Sequence, residues 1–155
     1  MSDAAWQRDG YEISTERARI DIDVVQRYLA AGRQSPGIPC EVVERFVAHS
    51  VNFGVFTGGA MVGYARVVTD HAAFAYLGDV FLLDGHRGRG LGTWLIECVL
   101  AHPDLQGLRR WMLMSGPRSV SLYRRFGFTD DNAPGHLMHR TDRGIYLRAG
   151  QGGGA

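Results

Sequence analysis

Lysine is missing from this 155-residue chain, and all 17 of its Lys/Arg-type residues are arginine. A Walker A phosphate loop places a lysine after its last glycine, so that class of nucleotide site is excluded. Cysteine is scarce. Cys40 and Cys98 are the only two, too few for a disulfide framework, and a reducing cytoplasm is the simplest expected setting. Cys98 falls on the apolar face of an expected helix and reads as a buried thiol. Neither sign of charge is in excess. The formal net charge is +1, which argues against nucleic acid as a partner. No apolar run approaches the ~18 residues of a membrane span. Residues 1–10 lack the apolar core of a signal peptide. His71, His86, His136 and His139 form no metal-ligating pattern, so no metal is expected. No serine or cysteine stands in a nucleophile-elbow context, so no covalent enzyme intermediate is expected.

The length suits one domain with one substantial core, and no repeat or linker interrupts it. Residues 1–10 and the glycine-rich tail 150–155 read as poorly ordered, leaving a single domain over residues 11–149. A strand is expected at Tyr11–Ser14. Two helices follow, at Asp21–Ala31 and Glu41–His49, joined by a loop from Arg33 to Pro39. Val51–Phe56 and Met61–Val68 read as a hairpin around Gly58-Gly59. A long strand spans Ala73–Leu83, a helix-like run follows at Thr93–Leu100, and a strand at Arg110–Met114. Arg118–Phe126 reads as a helix capped by Gly127. Short strands at Phe128–Thr129 and Leu137–His139 complete a mixed α/β sheet, mostly antiparallel, with flanking helices.

The densest signal is Arg87-Gly88-Arg89-Gly90-Leu91-Gly92. Before it lies the strand-like run Phe74–Leu83. After it, Leu91, Trp94, Leu95, Cys98 and Val99 recur with the period of an amphipathic helix. A helix start carries orphan N–H groups and the positive end of the macrodipole. Alternating glycines let an anion approach that backbone, and arginines add charge-assisted donors. The loop is built like a phosphate cradle. It is not a dinucleotide fingerprint, because Thr93 stands where the last glycine belongs. Asp104 also lies nearer than the roughly 20-residue spacing of the ribose-binding acid.

The segment Arg87-(Gly88-Arg89)-Gly90-Leu91-Gly92 resembles motif A of the GNAT N-acetyltransferase superfamily. Asp79-Val80-Phe81-Leu82-Leu83 resembles the strand that leads into that loop, and Leu122-Tyr123-Arg124-Arg125-Phe126-Gly127-Phe128 looks like motif B. The resemblance covers residues 60–140. It implies that acetyl-coenzyme A is the co-substrate, gripped by Phe81, Leu82, Leu83, Arg87, Gly88, Arg89, Gly90, Leu91, Gly92, Thr93 and Tyr123.

The resemblance also implies a reaction: transfer of acetyl to an amine by direct attack in a ternary complex, with backbone amides near Leu82 polarising the carbonyl. Tyr123 would protonate the leaving thiolate. A phenol near pKa ~10 does so only slightly uphill for a thiol near ~8.5. Asp79, a carboxylate in an apolar strand, is the candidate to bind or deprotonate the amine. It could equally be paired with an arginine or sit at a bulge. Strand alternation places it on the face of Leu77 and Phe81, unless a bulge flips that face.

The chain departs from the family pattern at Gly116, where asparagine is frequent, and at Ser119, where alanine is. Its acceptor-side loop, Ala31–Pro39, offers Gly, Arg, Gln and Ser rather than aromatics. A small-molecule amine is the expected acceptor, with a protein or peptide acceptor as the first alternative and a catalytically weak acyl-coenzyme A binding module as the second. A homodimer is compatible with this reading.

Overall fold

Six strands hydrogen-bond in the order in which the chain makes them. The computed structural model describes residues 2–130 and 135–151. Strands β1 (Ala5–Arg8), β2 (Tyr11–Ser14), β3 (Val51–Thr57), β4 (Ala60–Thr69) and β5 (Phe74–Leu82) are successively antiparallel. β6 (Arg110–Leu113) joins β5 in parallel. A parallel neighbour requires a crossover, and helix α3 (Leu91–Ala101) makes it. The tight turns follow from local chemistry. Asp9-Gly10 and Gly58-Gly59 both take positive φ at each residue, as primed two-residue hairpin turns demand. The chain is thus a mixed α/β protein with a mostly antiparallel sheet between helices.

Helices α1 (Ile22–Ala31) and α2 (Cys40–Ala48) cover one face. Asp21 caps α1 by accepting from the Val24 N–H at 3.1 Å, satisfying one orphan donor of the first turn. Val25, Leu29, Val43 and Val47 pack there against Tyr64 and Phe81. The other face carries α3, whose Trp94, Leu95, Cys98 and Val99 pack on Phe53, Val55 and Leu77. Burial pushes the Cys98 thiol up to about 12, as expected of an inert core thiol.

The structure corrects the sequence reading at both ends. Residues 1–10 contain β1, which pairs with β2 through Trp6↔Ile13 and Arg8↔Tyr11. No strand forms at Phe128–Thr129 or Leu137–His139. Phe128 instead sets its ring edge-on to Tyr123, 5.9 Å between centroids. The helix expected at Arg118–Phe126 is shorter, α4 (Val120–Arg124). An unexpected helix, α5 (Ile145–Gln151), runs through Gly150 of the supposed tail, and Tyr146 on it packs against the α1/α2 core. The remaining tail residues, 152–155, lie outside the described residues.

Candidate active site

The glycine loop occupies residues 84–90, between β5 and α3. Gly88 and Gly90 take φ of 74° and 76°, the left-handed region that costs other residues strain. Gly90 N-caps α3 and no side chain accepts from the helix start. A Cβ placed on Gly88 or Gly92 would meet nothing within 4 Å, and on Gly90 only the Arg8 guanidinium at 3.9 Å. The space over the helix start is therefore open to an anion, and the orphan N–H groups face it.

Arg87 is exposed but tied to its surroundings. It donates to the Leu82 carbonyl at 3.0 Å and the Tyr28 hydroxyl at 3.2 Å, and it pairs with Asp84 at 3.0 Å. These contacts brace the loop. Arg89 is exposed. A further guanidinium comes from Arg125, which donates to the Thr93 hydroxyl at 3.2 Å. Arg8 and Tyr11 reach the same loop from the N-terminal hairpin. Arg8 lies over the Trp94 ring at 4.9 Å and donates to the Gly90 carbonyl at 3.4 Å.

Beside the loop the sheet splits. The parallel pairing of β5 and β6 ends at Leu77↔Leu113, yet β5 continues to Leu82. The register between β4 and β5 slips opposite Tyr64–Arg66, and Asp79 there takes φ 53°. This bulge exchanges the faces of the strand. Leu77 lies in the α3-side core while Phe81 lies in the α1/α2-side core, so the two do not share the face that simple alternation assigns them. Beyond the bulge, the Leu83 N–H donates to the Val62 carbonyl at 2.8 Å and is not available to a ligand. By alternation the Leu82 N–H points the other way, to the side that β6 has vacated.

A cavity of about 310 Å³ fills this split, bounded by Leu77–Phe81, Met114–Gly116, Ser119, Tyr123 and the end of α1. The Tyr123 hydroxyl has no partner among the described residues, and burial of the side chain raises its pKa. It stays protonated, a donor on a residue that lines the cavity. A larger groove of about 820 Å³ lies along β6 on the side away from β5. It shares Tyr123 but contains none of the β5 backbone, so the smaller cavity is the chemically equipped one.

The description "Acetyltransferase (GNAT) family" matches residues 23–128. The chain belongs to the GNAT acetyltransferase family. A GNAT-family protein of Xanthomonas campestris pv. campestris is 43% identical, with a TM-score of 0.84 over 90% of this chain and 99% of that one. FG08082 of Gibberella zeae, named as an acetyltransferase, is 27% identical across 81% of this chain and 82% of its own length. A Clostridium acetobutylicum structure described with acetyl-CoA shares the fold at TM-score 0.64 and 14% identity, over 83% of this chain and 94% of that one. GNAT proteins transfer acetyl groups and use acetyl-coenzyme A. The open glycine loop at an uncapped helix start suits the phosphates of that co-substrate.

Within this GNAT cleft, Asp79 is not a bare carboxylate. Its Oδ2 accepts from Arg66 Nε at 2.7 Å, and both side chains are largely buried. Arg66 also lies over the Phe46 ring at 4.1 Å and reaches the Ser50 hydroxyl at 3.4 Å. Behind it, Tyr64 donates to Asn52, whose amide donates to the Val47 and Ser50 carbonyls. Asp79 is thus both at the bulge and arginine-paired, and it lines the cavity.

Proposed function

We propose that this protein is an acetyl-coenzyme A-dependent N-acetyltransferase acting on a small-molecule amine by direct attack within a ternary complex. The observation that carries this reading is the split between β5 and β6. It brings the bulge carboxylate of Asp79 and Tyr123 to one cavity, with the Leu82 amide on the same vacated side of β5 and a loop suited to a pyrophosphate beyond it. The amine nitrogen would bond to the thioester carbonyl carbon as the C–S bond breaks. The Leu82 N–H would donate to the carbonyl oxygen as negative charge develops there. Tyr123 would protonate the departing sulfur, and Asp79 Oδ1 would accept the proton that the amine loses. Residues 87–93 would hold the donor through backbone N–H groups, with Arg89 and Arg125 supplying charge.

The size of the cavity supports a small acceptor, since about 310 Å³ is at the low end of small-molecule sites. The test has two arms. Acetyl-coenzyme A at about 100 times its dissociation constant should stabilise the protein by about 2.7 kcal/mol, and NAD should not. Release of free coenzyme A should then depend on an added amine. A melt that shifts without amine-dependent release would leave a binding module. A melt that does not shift would remove the co-substrate as well.

A further inference from the structure

We infer that the acceptor carries an anionic group, a carboxylate or a phosphate, beside its amine, and that Arg33 receives that group. The inference rests on the N-acetyltransferase reading and concerns the acceptor end of the same cavity. Two charged residues bound it, Asp79 and Arg33. The charge of Asp79 is balanced by Arg66 at 2.7 Å. Arg33 has no carboxylate partner among the described residues. The cavity is therefore left with one uncompensated positive charge. Gln34, Ser115 and Ser119 add neutral hydrogen-bonding groups, and the other walls include Tyr28, Leu29 and Val80.

Such a site selects by sign. A diamine or a lysine-rich peptide would bring a second positive charge toward Arg33 and find no free carboxylate to meet it. A carboxylate or phosphate can take two parallel N–H bonds from the guanidinium fork. With the anion at Arg33, the amine of the same molecule would extend toward Asp79 Oδ1. Arg33 lies on the loop after α1 and is absent from the glycine loop that faces the donor. Its role is therefore separable from donor binding.

The experiment compares matched acceptors with the whole protein and acetyl-coenzyme A: amino acids against their amides, aminoalkyl phosphates against the corresponding amino alcohols, diamines, and a lysine-containing peptide. The expected result is kcat/KM at least tenfold higher for one anionic series than for its neutral partners, and the better series identifies the anion. Arg33→Gln should remove most of that preference through KM, and Arg33→Glu should turn it toward diamines. Both variants should keep the acetyl-coenzyme A melt shift. Preference for neutral amines, diamines or the peptide would overturn the inference while leaving acetyl transfer intact. So would a preference that survives Arg33→Gln, or loss of the melt shift in that variant, which would assign Arg33 to the donor. No turnover of any acceptor, with the melt shift present, would overturn both the inference and the transferase reading but leave the donor site standing.

Discussion

The Tyr11 hydroxyl meets Nδ1 of His86 at 2.8 Å, and the two rings stand edge to face, 5.8 Å between centroids. One residue opens β2 and the other sits in the glycine loop. Together with Arg8 on Gly90, this contact makes the N-terminal hairpin a brace for the glycine loop. Tyr11→Phe removes one half-buried hydrogen bond, worth about 1 kcal/mol. The expected outcome is acetyl-coenzyme A binding weaker by roughly fivefold, with turnover at saturating donor unchanged. Calorimetry beside steady-state kinetics separates the two quantities. Unaltered affinity would show that the loop holds its shape alone.

Gly90→Val tests the cradle itself. At φ 76° a β-branched residue is strained by roughly 1–2 kcal/mol, and its side chain would stand in the open space over the helix start. The variant should keep its circular dichroism spectrum and lose the acetyl-coenzyme A melt shift. A retained shift would reduce the loop to a connector.

Tyr123→Phe should lower turnover by roughly 10²–10⁴ while donor affinity stays within a few fold. The hydroxyl has no protein partner among the described residues, so its removal should cost little stability, while the ring keeps its packing on Phe128. Stopped-flow measurement of thiolate release would show whether the loss lies in the chemical step. Unchanged turnover with a lowered melting point would make Tyr123 a core residue only.

Asp79→Asn separates charge from backbone, because asparagine also accepts left-handed φ. The bulge should persist. Arg66 would exchange a charged acceptor for a neutral one, with a stability loss of about 1–2 kcal/mol after allowing for partial solvent access. Amine-dependent turnover should fall at least tenfold at every pH, with the donor melt shift retained. Wild-type rates would limit Asp79 to holding Arg66 and the bulge.

Much of this architecture is legible before folding is considered. The period of Val25, Tyr28 and Leu29, the Gly58-Gly59 turn and the strand–glycine–helix order each fix an element through local chemistry. The cleft is less legible. Asp79 has a carboxylate's conspicuousness in an apolar run, but only the strand register shows that the faces change there and that Arg66 is its partner. The polar look of the N-terminus hides Arg8 and Tyr11, yet Asp9-Gly10 between Trp6/Arg8 and Tyr11/Ile13 is a hairpin pattern that overrides it. Tyr28 and Arg125 had no such signal. Their meeting with Arg87 and Thr93 is made by the packing of distant segments. α5 is hidden because the glycine-rich tail reads as poorly ordered from Gly150, while the Asp142–Arg148 pair and the contact of Leu147 over Gly37 are visible only in three dimensions.

Strand neighbours in space are also neighbours along the chain, and this bears on how the molecule assembles. A nascent chain can close β3 onto β4 and β4 onto β5 as soon as each emerges, since short closures cost little entropy. β6 must wait until α3 has crossed over. The scaffold therefore precedes the cleft, and the chemistry is completed by the last segments to arrive. In pulse-labelled hydrogen exchange, amides of Phe53–Val67 should gain protection before those of Arg110–Leu113. A chain halted after β5 would own most of its sheet, with Asp79 and Leu82 in place, but neither the glycine loop nor Tyr123.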